Sequence, residues 1–394
     1  METSRILKLK HALHPLRAAQ AASTLLLTYA RTQRFAYRSK RRFRGDPRYE
    51  PSRVTEGFAP RSDNSPDDTS LLERISKAYM RSVSHPECDR RCYAPTQWWR
   101  QIRESSLKRV IQALQEGDVS SLQSIYSNFF RDPCATGLIG VPYGMVKAYF
   151  QGPMREVHRR CYMGQALYRI DYWLAETRDR FQLADLAGPD VGNPFGVPIN
   201  GVFVPYNSEY QHYCAHEILS RVATTPRVVA EVGPGYGGMA YYLLRDGGPL
   251  IYIGFDLPET IALSSYYLLK SFPTARFLLY GESDLTSEAL AASNIILLPT
   301  FAMAALPARS VAVTFSSHVM GDLSESGMAE YLDQIVRVTR QYFLYSGHMR
   351  GGERIREAGR GRLGLVTARP TAWNRHMAPN EREGEYVFAH QSLP

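Results

Sequence analysis

Residues 228–238 read VVAEVGPGYGG, an apolar, β-branched run that breaks into a glycine-rich turn and gives way to a helical pattern. A strand, a tight turn and a helix in this order make a nucleotide cradle. Glycines at 233, 235 and 237 let the backbone approach a ligand closely and take dihedrals that a Cβ forbids. The helix start adds unpaired N–H groups. Gly233, Gly235 and Gly238 also satisfy the G-x-G-x-x-G spacing of a dinucleotide site. Glu231 separates the two readings, because an acid two residues before the first glycine repels a pyrophosphate and suits the cationic aminocarboxypropyl arm of S-adenosylmethionine (SAM). A second strand, LIYIGFD, ends at Asp256, an acid placed for the ribose hydroxyls of either cofactor.

Two longer segments, EVGPGYGGMAYYL and FDLPETIALSSYYLLKSFP, resemble the sugar O-methyltransferases among the class I SAM-dependent enzymes, with Asp-Leu-Pro-Glu the more telling part. Further matching segments are VGNPFGVPINGVFVPYNSEYQHYCAHEIL upstream and SSHVMGDLSESGMAEYLDQIVRVTRQYFLYSGHM downstream, so the resemblance spans roughly residues 120–350. It implies SAM as cofactor and methyl transfer to a sugar hydroxyl of a glycan or glycosylated metabolite, with the need for a divalent metal left open. Cofactor contacts are expected from Glu231, Gly233, Gly235, Tyr236 and Gly237 in the cradle and from Asp256 and Leu257 at the end of the second strand.

With 394 residues and 44% hydrophobic content, the chain can bury one large core and carry an accessory domain. Its formal charge of +9 is unevenly placed: residues 1–45 hold eleven Lys/Arg against Glu2 alone, leaving 36 basic and 37 acidic residues elsewhere. A near-neutral body argues against nucleic acid as the substrate. Five scattered cysteines fit a reduced, cytoplasmic protein, and Cys88 and Cys92 lack the second ligand pair of a zinc site, so no metal cluster is expected. No apolar run reaches the ~20 residues that span a bilayer.

Four regions are expected: a basic arm over 1–45, a Pro/Asp/Ser/Arg-rich linker over 46–70, a helical accessory and acceptor-binding region over 71–190, and the methyltransferase domain over 191–394. Three readings are open for the arm: a solvated, partly disordered segment, a helix on an anionic membrane surface, and a transit-like sequence. Apolar spacing predicts helices over 71–83, 98–116 and 119–130, with more helix through 155–186. Most of the aromatics there, Trp98, Trp99, Tyr168, Tyr172 and Trp173 among them, read as core, and some as sugar-stacking faces. The turn-rich loop GNPFGVPING at 192–201 is a candidate lid, and on the helix over 208–222 Tyr210, Gln211 and Tyr213 each read either as facing SAM or the acceptor or as purely structural.

A helix is expected over 258–271, opened by a proline at an early position. Two runs compete for the third strand, 276–280 and 294–298; the segment IILLP at 295–299 is preferred because its distance to the next strand is of the usual length. That choice sets Thr300, Phe301 and Ala302 against the adenine, whereas the other sets Glu282 or Asp284 there. Strands over 311–315 and 342–345, a helix over 325–340, a mobile Gly/Arg-rich loop over 347–364 and a closing pair at 363–368 and 386–389 complete the reading. The alternation is α/β, a Rossmann-like doubly wound sheet with its ligand crevice at the carboxyl strand ends.

Methyl transfer to a weakly acidic hydroxyl is an in-line displacement that needs positioning and a general base. Residues 316–322, SSHVMGD, leave the fourth strand where that base belongs. His318 is the first choice because imidazole titrates near neutrality, with Asp322 one helical turn on to orient it and Ser316 beside the cofactor. The resembling family carries an Asn/Ser-rich turn and then an acid here, so Asp322 matches the pattern and His318 departs from it. His348, after the fifth strand, is the rival base at a place where the family shows Asn. Glu259 reads either as a ligand contact or as an acid stabilised by a helix N-terminus. Three activities compete with sugar methylation: methylation of a polyketide or phenolic hydroxyl, non-catalytic SAM binding, and NAD-dependent oxidoreduction.

Overall fold

The structure, a computed structural model, describes residues 15–61, 68–140, 149–150, 152–223 and 225–390. A small hairpin pairs Gly196–Ile199 (β1) with Val202–Pro205 (β2), and its turn at Asn200 and Gly201 has the two positive φ values that such a two-residue loop requires. The main sheet is built from Val228–Val232 (β3), Ile251–Asp256 (β4), Phe277–Leu279 (β5), Ile295–Pro299 (β6), Val311–Ser317 (β7), Thr339–His348 (β8), Leu363–Thr371 (β9) and Glu383–His390 (β10). Its order is β5-β6-β4-β3-β7-β8-β10-β9, parallel from β5 to β8, with β10 antiparallel to both its neighbours.

With the edge strand β5 set aside, the strands of this sheet stand in the order third, second, first, fourth, fifth, seventh, sixth of their appearance. This is the doubly wound class I arrangement. The chain winds outward from β3 through β4 to β6 and then returns to the other side of β3 as β7, which opens a crevice above β3 and β7. β3 and β6 are buried at every position, as their Val, Ile and Leu content demands of parallel strands covered on both faces. Both candidates for the third strand pair in the sheet; the preferred one, β6, lies against β4, and the other forms the edge.

The helices Gln97–Glu104, Lys108–Glu116 and Val119–Tyr126 form a helical region whose apolar faces join the core beneath the helix Pro258–Ser271. The long helix Glu156–Thr177 buries Leu167, Ile170 and Trp173 completely.

Several expectations are corrected by packing. The basic arm is the helix Pro15–Arg42, and its second half docks on Glu156–Thr177: Ala36, Ser39 and Phe43 are buried, and a Cβ on Gly164 would collide with Ser39. The first part of the expected linker is also packed, since Val54 of the short helix Arg53–Gly57 is fully buried and Gly57 abuts the backbone of Gly196. That contact buries β1, so the turn-rich segment 192–201 is a structural hairpin and not a lid. The Gly/Arg-rich segment after β8 is the helix Met349–Ala358, in which Gly351 and Gly352 permit close approach by Tyr345 and Tyr386.

Candidate functional site

A cavity of about 430 Å³ lies over the carboxyl ends of β3, β4, β6 and β7, within the usual range for a small-molecule site. The strands supply its floor. Residues 93–99 and 137–140 of the N-terminal region contribute Tyr93, Trp98, Trp99 and Leu138 from above. Two ties hold that roof: Tyr93 Oη donates to Glu330 at 2.9 Å, and Arg103 pairs with Glu259 at 3.0 Å. Glu259 is therefore a structural partner of Arg103, buried outside the cavity lining, rather than a ligand contact.

The cradle is shaped by its glycines. Gly233 extends the strand ladder by donating to Phe255 O at 2.8 Å, then turns with φ +85, and a Cβ there would collide with Val319. Glu231 at the end of β3 lines the cavity and accepts from Tyr252 Oη at 2.6 Å. Burial pushes its pKa up to about 8, against the lowering effect of that hydrogen bond. Asp256 accepts from the backbone N–H of Leu257 at 2.7 Å and of Gly235 at 3.2 Å, and burial raises it to about 7. Both acids are thus held where a cation or a hydroxyl donor would restore the charged form.

Gly233, Gly235, Tyr236, Leu257 and Thr300 line this half, as expected. Gly237, Phe301 and Ser316 do not. Gly237 caps the helix Gly238–Asp246 and packs on Leu268. Phe301 stacks on His85 at 4.9 Å and meets Tyr280 edge-on at 5.4 Å. Ser316 is fully buried with its Oγ donating to Val232 O at 2.9 Å, and its neighbour Ser317 faces the cavity instead. Adjacent strand residues face opposite sides, so an error of one position moves a side chain across the sheet.

The other half gathers His318, His348, Asp322, Tyr210 and Glu383. His318 sits at the β7 exit with φ +62, its N–H donating to Ser346 O at 2.9 Å and its ring 5.4 Å from that of His348, edge to face. Its pKa is lowered by burial, with Glu383 the largest opposing influence, ahead of Asp322. Asp322 ends the helical turn Val319–Asp322, the condition for it to orient His318, yet no hydrogen bond joins the two. Glu383 is the better-placed acid: it stands opposite His348 in the β8–β10 register, and Asn374 fixes both its oxygens, at 2.8 and 3.2 Å. Tyr210 bridges the ends of β7 and β8 through Ser317 at 2.7 Å and Ser346 at 2.9 Å. Gln211 also lines the cavity and is tied to Tyr236, whereas Tyr213 turns away toward Glu385.

Sequence reasoning missed Arg169, Asn207, Trp373, Asn374, Glu381 and Glu383. They lie on a helix, a turn, a hairpin loop and the start of β10, far from the cradle in sequence, and no local motif marks them.

Among the described residues, one His/Asp cluster has ligand-like spacing: His212, His216 and Asp246. Trp173 Nε1–H donates to His212 Nδ1 at 3.3 Å, which leaves the imidazole proton on Nε2, the nitrogen nearest Asp246. A metal-bound histidine needs the reverse arrangement, with its second nitrogen donating outward. Arg245 already holds the same carboxylate at 2.6 and 2.9 Å.

No family model matches the sequence, and no curated protein matches it. Among solved structures, the chain is similar to a SAM-dependent methyltransferase from Aquifex aeolicus, at 15% identity over 46% of this chain and 93% of that one, with TM-score 0.33. It is also similar to TrmN from Thermus thermophilus, at 13% identity over 45% and 48% of the two chains with TM-score 0.32. An arsenic(III) S-adenosylmethionine methyltransferase from Chlamydomonas reinhardtii gives 17% identity over 46% and 74%, with TM-score 0.29.

Proposed function

We propose that this protein is a SAM-dependent O-methyltransferase acting on a sugar hydroxyl. The observation that carries the cofactor assignment is the pairing of Glu231, buried, and Asp256, partly exposed, acids at the ends of adjacent strands beside a glycine cradle that side chains would fill. Glu231 suits the cationic arm of SAM and would repel the pyrophosphate of a dinucleotide, while Asp256 suits the ribose hydroxyls that both cofactors carry. When bound, SAM supplies a methyl group activated on a sulfonium.

His318 is the general base of this reading. Burial keeps the imidazole neutral, so a nitrogen lone pair is free to take the hydroxyl proton as the acceptor oxygen gains its methyl group. Glu383 stabilises the imidazolium that results. The sugar assignment is supported by the company of Trp98, Trp99 and Trp373 with Asn374 and Glu381, flat aromatic faces beside planar hydrogen-bonding groups. Labelled SAM offered with sugar and phenolic acceptors tests it: label entering only phenols would favour a non-sugar hydroxyl, and no turnover despite SAM uptake would favour a binding module.

For the N-terminal helix we infer peripheral contact with an anionic membrane. Pro15–Arg42 has seven basic residues and no acid, and before it docks it presents Leu26 (69% exposed) and Leu27 (59%) beside Arg31 and Arg34. No helix of the described residues is long and apolar enough to cross a bilayer. Co-sedimentation with phosphatidylserine vesicles, lost in 0.5 M salt and absent with phosphatidylcholine alone, is the expected result; equal binding to both would reject it.

A further inference from the structure

Arg169 is a buried guanidinium whose bonding is unfinished. It projects from the helix Glu156–Thr177 to the cavity wall and is only 5% exposed. Of the five N–H donors a guanidinium carries, one is hydrogen-bonded, from Nη2 to Asn207 Oδ1. Nε has no hydrogen-bond partner, with Glu209 Oε2 at 3.7 Å and itself not hydrogen-bonded. The group is held in place by Asn207, itself fixed in a turn at φ +68, and by the Trp373 ring, whose centre is 5.9 Å away. Trp373 packs on Tyr210 at 5.3 Å, which sets Arg169 in the half of the cavity that holds His318, away from Asp256.

We infer that Arg169, with Asn207, anchors an oxyanion of the acceptor, so that the sugar methylated here carries a carboxylate or a phosphate. This rests on the methyltransferase reading above. A planar guanidinium with unspent donors matches the paired oxygens of those groups, and in a buried site an ionic hydrogen bond is worth more than in water. The acids nearby do not occupy it. Glu383 spends both oxygens on Asn374, Glu209 forms an ion pair with Nε at 3.7 Å that is beyond hydrogen-bond distance and its pKa is raised by burial, and Asp322 and Glu381 line the same cavity without bonding to Arg169. A neutral sugar could meet these donors with hydroxyl oxygens but would supply no charge to balance the buried guanidinium.

The test is binding of D-glucuronate, D-glucose 6-phosphate and D-glucose to the full chain, with and without S-adenosylhomocysteine, read by saturation-transfer NMR. At least one acidic sugar is expected to bind tenfold or more tightly than glucose. Arg169→Met/Glu209→Gln, which removes both buried charges together, is expected to erase that preference; should it not fold, Arg169→Lys, which keeps the charge and loses the fork, is expected to weaken it about tenfold. No preference in the wild-type chain, or a preference unchanged in the variants, overturns the inference. Titration with SAM and decarboxylated SAM separates the other source of a carboxylate: a loss of SAM affinity in the variants that spares the decarboxylated form assigns Arg169 to the cofactor and overturns the acceptor assignment. Acidic sugars bound through Arg169 by a protein that takes up no SAM would sink the methyltransferase reading while leaving the anchor intact.

Discussion

The two halves of the cavity are made in different ways. The half that we assign to the cofactor is written within 29 residues of chain: β3, the glycine turn, one helix and β4 place Glu231, Gly233, Gly235 and Asp256 by local geometry alone. The half that we assign to the acceptor collects Arg169, Asn207, His318, His348, Trp373 and Glu383 from six separate segments. A local cradle depends on strand pairing and a turn, whereas the collected half depends on how the N-terminal helices and the closing hairpin pack upon the sheet. Damage to the first should therefore appear as lost affinity, and damage to the second as lost turnover.

The sharpest break between the halves is His318→Ala. Removing a general base costs on the order of 10²–10⁴ in rate, so kcat should fall by about 10³ while calorimetric SAM affinity stays within twofold. His348→Ala should spare most of the rate; the opposite ranking would transfer the role of base to His348.

Next in size is Asp256→Ala. Losing hydrogen bonds to a carboxylate costs about 3 kcal/mol, so SAM should bind ~100-fold more weakly with little change in kcat at saturation. pH sharpens the same point. Glu231 and Asp256, raised to about 8 and about 7, hold protons in the ligand-free fold that they would lose in the unfolded chain near pH 4. The folded state then binds more protons across that window, and its stability falls as pH rises from about 4 to about 8. Thermal melts at pH 5 and 9 should show the decline, and saturating SAM should shrink it, because its cationic arm favours the ionised acids. Stability that is flat or rising across the window would count against the proposed environment of both acids.

The smallest effect belongs to Glu383→Gln. The glutamine keeps an acceptor for Asn374 but removes the charge that raises the His318 pKa. We expect kcat to fall about tenfold, as for a lost charge-assisted hydrogen-bonding environment, and the acid limb of the rate profile to move to lower pH. An unmoved limb would separate Glu383 from the base.

The same contrast explains what could be read in advance. The β3 turn, Asp256, the preferred β6 strand and the helix Pro258–Ser271 were legible because each is specified by neighbours a few residues away. Ser316 was misjudged by one position of strand parity, and Phe301 because the aromatic cluster that claims it, His85 with Tyr280, comes from elsewhere in the chain. Asp322 does lie on a helical turn, but the acid with more influence on His318 lies on β10, 65 residues away. Arg169 carried no signal at all, since its meaning arises only when Asn207 and Trp373 close around it.

The docking of the N-terminal helix reaches further than its own surface. Ser39 Oγ meets His376 Nε2 at 3.1 Å, and the His376 ring is enclosed by Phe35, Phe43 and Tyr168. His376 belongs to the same loop as Trp373 and Asn374, so the helix Pro15–Arg42 works as a brace for the far end of the cavity. Removing the docked helix is expected to loosen that loop and, on the proposed reading, to spare cofactor uptake while impairing alignment of the acceptor.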